Sequence, residues 1–331
     1  MSILATTHPT LLDVTKRMDP DGKIDRIAEL LNLTNEVLDD AVYIEGNLPT
    51  GHRSTIRTGL PTPTWRKLYG GVQPTKSNTV QVTDSIGMLE DYAEVDKRAA
   101  DLNGNTAEFR LSEDAAHIEG MSQQLATTIF YGNETTNPAA FTGLAPRFNS
   151  KTALNGKNVI DDGSPSGNNN TSIWLVVWGP NTCHMVYPKG SQAGLRMEDK
   201  GQVTIENLNG DGGRMEAYRT HYAMDAGMVV RDWRYVVRIS VNTSTLTKDA
   251  SSGDDIIDLM TQAVEMIPSL GMGRPAFYMN RNIRSYLRRQ ISNKTKQSTL
   301  KTETIAGKIV TSFDEIPCRR VDALTNNEAA I

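Results

Sequence analysis

The side chains best suited to chemistry in this chain are five histidines and two cysteines. The histidines stand at 8, 52, 117, 184 and 221, and no two lie four residues apart on a predicted helix, so no zinc-type pair arises. Cys183-His184 is the best soft-ligand pair. Neighbouring residues of a strand point to opposite faces, so the pair is expected to pack rather than to share a metal. Cys183 and Cys318 are far apart, which predicts two inert, unlinked thiols in a chain made in a reducing compartment. Asp19-Pro20-Asp21-Gly22 starts like a calcium loop, but Leu30 stands where the closing glutamate belongs. Gly163-Ser164-Pro165-Ser166-Gly167 lacks the leading strand and serine spacing of a nucleophile elbow. Gly271-Met272-Gly273-Arg274-Pro275 lacks the third glycine and the following helix of a phosphate loop. The residues therefore predict no enzyme activity, no cofactor and no metal.

Charge carries more information than catalytic motifs. From Gly46 to Thr83 no acid occurs, whereas Arg53, Arg57, Arg66, Lys67 and Lys76 do. From Asp84 to Gly120 the sign flips: Glu90, Asp91, Glu94, Asp96, Glu113 and Asp114 belong to an acidic band with few cations. A protruding basic segment beside an acidic one is self-complementary. It either folds back on its own chain or lies on the acidic band of a neighbour, and head-to-tail contacts of the second kind close into rings. Arg53, Arg57, Arg66 and Lys67 against Glu90, Asp91, Glu94, Asp96, Glu113 and Asp114 are thus the candidate inter-subunit contact. A second basic stretch, with Arg281, Arg284, Arg288, Arg289, Lys294, Lys296 and Lys301, contains no acid. It reads as the solvated face of an amphipathic helix. The alternative is a nucleic-acid-binding segment, and Tyr286 is its one aromatic platform.

The elements that position these residues follow from periodicity. An arm over residues 1–20 precedes a helix over 23–42, with Ile24, Ile27, Leu31, Leu38 and Ala41 on one stripe. Residues 54–58 and 79–83 alternate with period two between Pro and Gly breakers, which predicts two strands of a long hairpin. A helix over 105–131 starts at an Asn105 cap and stops at Gly132-Asn133, with Leu111, Ala115, Ile118, Ser122, Leu125 and Ile129 inward. The segment 161–170 is expected to be an exposed turn or a mobile tip. Strands are expected at 173–178 and 183–187, joined as a hairpin by Gly179-Pro180-Asn181, and at 202–206, 218–222 and 228–240. A helix over 254–267, a strand at 276–279, an Asn280-capped helix to about 290 with Ile283, Leu287 and Ile291 on one face, and strands within 300–324 follow.

With 331 residues, the chain is expected to form two packed regions or one large elaborated domain and needs no disulfide or metal staple. Its formal charge of −4 argues against a dedicated nucleic-acid binder. The longest apolar run, 173–178, is too short to cross a membrane, and the N-terminus lacks the basic start and apolar stretch of a signal peptide.

Arm, extended loop, long helix and a β-rich region with two helices form the order of the HK97-like coat fold of tailed bacteriophages. The resemblance extends to sequence. Tyr43-Ile44-Glu45-Gly46-Asn47-Leu48-Pro49-Thr50-Gly51-His52-Arg53, Ala93-Glu94-Val95-Asp96, Asp101-Leu102-Asn103-Gly104-Asn105 and Phe109-Arg110-Leu111-Ser112-Glu113-Asp114 resemble the major capsid proteins of short-tailed phages of the epsilon-fifteen and Bordetella-phage kind. So do Gly143-Leu144-Ala145-Pro146-Arg147-Phe148, the segment 174–181, Asp232-Trp233-Arg234-Tyr235-Val236-Val237-Arg238-Ile239 and Gly271-Met272-Gly273-Arg274-Pro275. The resemblance implies an α+β coat subunit with an N-terminal arm (1–45), an extended β-hairpin loop (46–85), a peripheral domain with a spine helix (86–144), an axial domain (145–300) and return strands to the peripheral domain (301–331). It further implies a structural virion protein, assembled in the host cytoplasm into pentamers and hexamers of an icosahedral head around double-stranded DNA. Portal, scaffold and cement or decoration proteins are the implied partners, with no membrane among them. Some relatives cross-link a lysine to an asparagine. Lys67 and Lys76 lie in the corresponding loop, but no partner asparagine or catalytic acid is identifiable, so cross-linking is not expected.

Overall fold

The computed structural model describes residues 33–104, 106–161, 163, 167–206, 212–247, 255–293, 300–305 and 308–331. Among the described residues, thirteen strands run in chain order: β1 (Tyr43–Glu45), β2 (Gly51–Gly59), β3 (Asn78–Asp96), β4 (Val159–Asp161), β5 (Asn170–Trp178), β6 (Cys183–Tyr187), β7 (Arg196–Glu206), β8 (Arg214–Val230), β9 (Val236–Asn242), β10 (Arg274–Met279), β11 (Leu300–Ile305), β12 (Lys308–Phe313) and β13 (Ile316–Arg320). The helices are α1 (Val37–Asp40), α2 (Lys97–Ala100), α3 (Thr106–Tyr131), α4 (Leu144–Arg147), α5 (Ile256–Met266) and α6 (Arg281–Asn293). The fold class is α+β, as expected. Two compact units result. Among the described residues, one gathers Leu33, Met88–Leu125 and Gly194–Asp225; the other gathers Thr34–Gly87, Ala126–Ala193 and Ala226–Ile331.

The larger unit is built around β5. This strand pairs antiparallel with both β9 and β10 and is buried along its whole length. Burial on both faces explains why residues 173–178 of this strand are a continuous apolar run instead of an alternation. Ile173, Leu175 and Val177 pack with Val237 and Ile239 against Met260 and Ala263 of α5 and Ile283 and Leu287 of α6. Trp174 and Trp178 point to the opposite face and meet Phe130, Phe148 and Tyr278. Both helices start on side-chain caps, which satisfy amide donors left unpaired by the first turn. Asp255 Oδ1 accepts from the Ile257 and Asp258 amides, and Asn280 Oδ1 accepts from the Ile283 amide at 2.9 Å. The Asn280 cap was legible in sequence, as were the inward Ile283 and Leu287. Ile291, placed on the same face, lies outside the described side chains. β13 pairs parallel with β10 and antiparallel with β12, so the last strands join this larger unit.

Gly273 owes its place to close packing. A Cβ there would stand 2.3 Å from the Trp178 carbonyl oxygen, so β10 approaches β5 only because residue 273 has no side chain.

In the smaller unit, Phe109 of α3 packs with Val95 and Ala100, and Met121 packs with Ala93 and Tyr222. The β7–β8 hairpin pairs residues 196–206 with 214–223 and is interrupted by a bulge at Asp199/Gly201.

Several expectations need correction. The helix placed over 23–42 does not run to Val42: among the described residues, Asn35 forms an antiparallel bridge with Val321 and only the single turn Val37–Asp40 follows. The chain is extended there because it pairs with the C-terminal segment. Residues 1–32, and with them the arm, the Asp19 turn and Ile24, Ile27 and Leu31, lie outside the described residues, as does the Asn105 cap. The inward stripe on α3 is displaced. Leu111 is 69% exposed, and Ala115 and Ile118 also face outward, because Phe109, the largest side chain of the first turns, claims the core side and carries Glu113 and Asp114 inward with it. Leu125 and Ile129 are buried as expected. β5 and β6 form no hairpin: a single parallel bridge, Trp178 with Cys183, joins them, and β6 pairs antiparallel with β8. The strand expected over 228–240 is broken by a turn at Trp233–Tyr235, where the Asp232 side chain accepts from the Arg234 amide. Asn170, placed in an exposed turn, is fully buried at the start of β5.

Candidate subunit interface

The extended hairpin is set by alternation and pinned at its root. β2 and β3 pair antiparallel from Gly51 opposite Ser85 to Arg57 opposite Thr79. Asn47 brackets the turn into β2: its Nδ2 donates to the Arg53 carbonyl and its Oδ1 accepts from the Arg53 amide, both at 2.7 Å. At the root, Asp84 is buried and accepts from Arg147 of α4 at 2.8 Å. Arg147 also donates to the Thr142 and Met228 carbonyls, so the buried charge is paired and the guanidinium is further satisfied.

Beyond the root the hairpin gives its side chains to solvent. Residues 60–77 form no strand, and Trp65 and Tyr69 are essentially fully exposed, with Leu60 and Leu68 nearly so. Tyr69 takes a left-handed backbone, φ 60°, in the turn closed by the Gly70 amide on the Lys67 carbonyl. Arg53 donates to Thr83 Oγ1 at 3.3 Å across the ribbon. Arg57, Arg66 and Lys67 have no side-chain partner among the described residues. A cluster of exposed large apolar groups with unpaired cations is what an unoccupied protein contact presents.

The acidic residues behave differently, and most are engaged within their own unit. Glu94 takes Arg219 at 2.5 Å, Asp91 meets His117 at 2.6 Å and Glu90 meets His221 at 3.3 Å. Tyr92 stacks on His221 with centroids 4.4 Å apart. Asp96 caps α2 through the Arg98 amide at 2.7 Å. Glu113 and Asp114 are buried; burial, followed by the Asp114 carboxylate, raises the Tyr222 phenol above its ordinary range. The Glu90 and Asp91 carboxylates are more exposed than those of Glu94, Glu113 and Asp114.

Sequence reasoning missed a groove of about 570 Å³ beside the hairpin, lined by Ile56, Arg57, Leu60, Arg231, Trp233 and Arg234 among others. Its far wall is the turn that interrupts the expected 228–240 strand. The local signal was Asp232 two residues before Arg234: the Asp232 carboxylate holds the Arg234 guanidinium at 2.7 Å.

The basic stretch near the C-terminus is an amphipathic helix. Arg281 pairs with Asp322 at 3.1 Å, and Arg289 lies over its own Tyr286 ring at 4.2 Å. Lys294 and Lys296 lie outside the described residues, and so does the Lys301 side chain. Cys183 and Cys318 are buried, unlinked thiols, and burial pushes each up to about 12. No helix among the described residues is long and apolar enough to cross a membrane.

A two-helix sheet unit, a long helix and a ribbon whose Arg57, Arg66 and Lys67 have no side-chain partner among the described residues are the parts expected of a structural coat subunit. Comparison with known proteins agrees. Residues 19–331 match the model of the family described as major capsid protein GP7, and the chain belongs to that family. It is 39% identical to a chain of the cryo-EM structure of bacteriophage Epsilon15, covering 100% of this chain and 99% of that one with a TM-score of 0.78. The HK97-like coat fold implied by the resemblance is thereby shown. Weaker likenesses include the bacteriophage JBD30 capsid, 8% identical over 89% of this chain and 92% of that one, TM-score 0.47. Another is the capsid of a native GTA particle, 12% identical over 68% and 95%, TM-score 0.45. No curated protein sequence matches the chain.

Proposed function

We propose that this phage major capsid protein assembles into pentamers and hexamers of an icosahedral head enclosing double-stranded DNA. Neighbouring subunits are joined by the extended hairpin, whose tip and cations lie against the acidic band of the next subunit. The observation that carries this reading is the hairpin itself: Arg57, Arg66 and Lys67 have no side-chain partner among the described residues, beside exposed Trp65, Leu60 and Leu68. Arg53 is half of the same face. On the acidic side, Glu90 and Asp91 receive it, while Glu94 and Asp96 keep their in-chain roles and Glu113 and Asp114 shape the field from below. The subunit acts without catalysis, assembles in the host cytoplasm and works alongside portal, scaffold and cement or decoration proteins. Packaged DNA meets it through weak non-specific contacts.

Each exposed charge pair contributes only ~0–1 kcal/mol, but a shell repeats it in every subunit. Arg57→Glu with Arg66→Glu should block assembly, seen by negative-stain microscopy, while circular dichroism stays native. Adding Glu90→Lys and Asp91→Lys should restore particles at least partly. Wild-type assembly by the double reversal would reject the charge pairing. The rival nucleic-acid role of α6 has less support, because Arg281 and Arg289 are already engaged within the chain.

A further inference from the structure

At the root of the hairpin two imidazoles meet edge to face. The rings of His52 on β2 and His184 on β6 have centroids 5.8 Å apart and planes at 86°. His184 is buried, and in both residues Nδ1 is sealed from solvent with no hydrogen-bond partner among the described residues. His52 lies opposite Asp84 in the β2–β3 register, and His184 lies opposite Val229 of β8. The charged groups facing the pair are Asp84 on β3, with Arg147 of α4 bound to it, and Arg231 just beyond β8. Arg231 is tied down by donating to the Pro180 carbonyl at 3.1 Å. A proton taken up at either Nδ1 finds no paired acceptor among the described residues; the Gly179 backbone favours protonated His184, but burial outweighs it.

We propose that His52 and His184 form a pH-sensitive catch that holds the root of the extended hairpin closed while both rings are neutral and releases it when one is protonated. Asp84 cannot absorb the new charge in full, because its carboxylate is already paired with Arg147 at 2.8 Å. Arg231 opposes protonation of both rings, and each ring opposes protonation of the other once one is charged. The direction agrees with the titration of the pair. Burial first, then His52 and Arg231, bring His184 down to about 4, and burial followed by Arg231 lowers His52. An opened root exposes the rings to water, where they regain a value near 6.5. A group whose closed-state value is depressed binds more protons when open, so the closed root loses stability as pH falls from about 6.5 towards about 4. The catch is a property of the single chain and operates before or after assembly.

The test is amide exchange on the full-length chain at pH 7.5 and pH 5, expressed as protection relative to the intrinsic rate at each pH. With His184 at about 4 closed and about 6.5 open, protection across 51–56 and 183–186 should drop about 30-fold, while 172–177 in β5 holds. His184→Gln should abolish the drop. His52→Gln and Arg231→Gln, at less buried positions, should each shrink it by relieving the field on His184. A wild-type drop below about 3-fold overturns the proposal by the same linkage. So does a full drop that persists in His184→Gln, or one left unchanged by both of the other variants.

Discussion

Arg238 and Glu328 meet at 2.7 Å with both side chains 6% exposed, locking the C-terminal segment onto β9 in the core of the larger unit. Arg238 also donates to Ser172 Oγ and the Phe148 carbonyl and lies over the Trp174 ring at 5.2 Å. Tyr131, the last residue of α3, donates to the other oxygen of Glu328 at 2.5 Å, and the Asn170 and Glu328 backbones exchange hydrogen bonds. Burial and the Glu328 carboxylate hold the Tyr131 phenol above its ordinary range. One buried pair thus joins the end of the spine helix, the central strand and the tail.

Removing one partner should be costly because it strands the other. Arg238→Met is expected to cost ~3–5 kcal/mol in urea unfolding. Arg238→Met with Glu328→Leu should recover a large part of that loss. If the double variant is no more stable than the single one, packing around Trp174, not the stranded charge, sets the cost.

Gly273→Ala should destabilise the chain by ~1–3 kcal/mol, since its Cβ would collide with the Trp178 carbonyl oxygen, a backbone atom that cannot step aside. Gly71→Ala, with open space around it, is the control. Thermal unfolding of both variants reads the difference, and equal melting temperatures would show that β10 shifts at no cost.

Both thiols should resist alkylation in the folded chain at pH 8. Buried groups held near 12 have almost no thiolate there, and access is closed as well. Reaction with iodoacetamide should appear only with unfolding, at two sites, by mass spectrometry. Rapid labelling of Cys183 in native protein would contradict its burial.

The hairpin should gain protection only in company. Residues 60–77 form no strand and place large apolar groups in solvent, so their amides are expected to exchange rapidly in the unassembled chain and slowly in the shell. Equal exchange in both states would remove the hairpin from the subunit contact.

Local signals in the sequence determined the elements whose causes are themselves local. The period-two runs around Ile56 and Val80 gave a hairpin, the Gly132 stop ended α3, and Asn280 capped α6, because strand alternation, helix termination and capping act within a few residues. The acid-free loop and the opposed charges of residues 84–120 were also written in the chain, as were the motifs carrying the family resemblance. Tertiary structure decided which side of α3 is inside: Leu111, Ala115 and Ile118 made a regular stripe, yet Phe109 took the core and turned Glu113 and Asp114 inward. It decided that β5 pairs with β9 and β10 instead of closing a hairpin with β6, and that His52 meets His184 across more than a hundred residues of sequence. These outcomes depend on which distant surfaces bury each other best, and a helix face or strand edge offers several partners of nearly equal local merit until the whole core is packed.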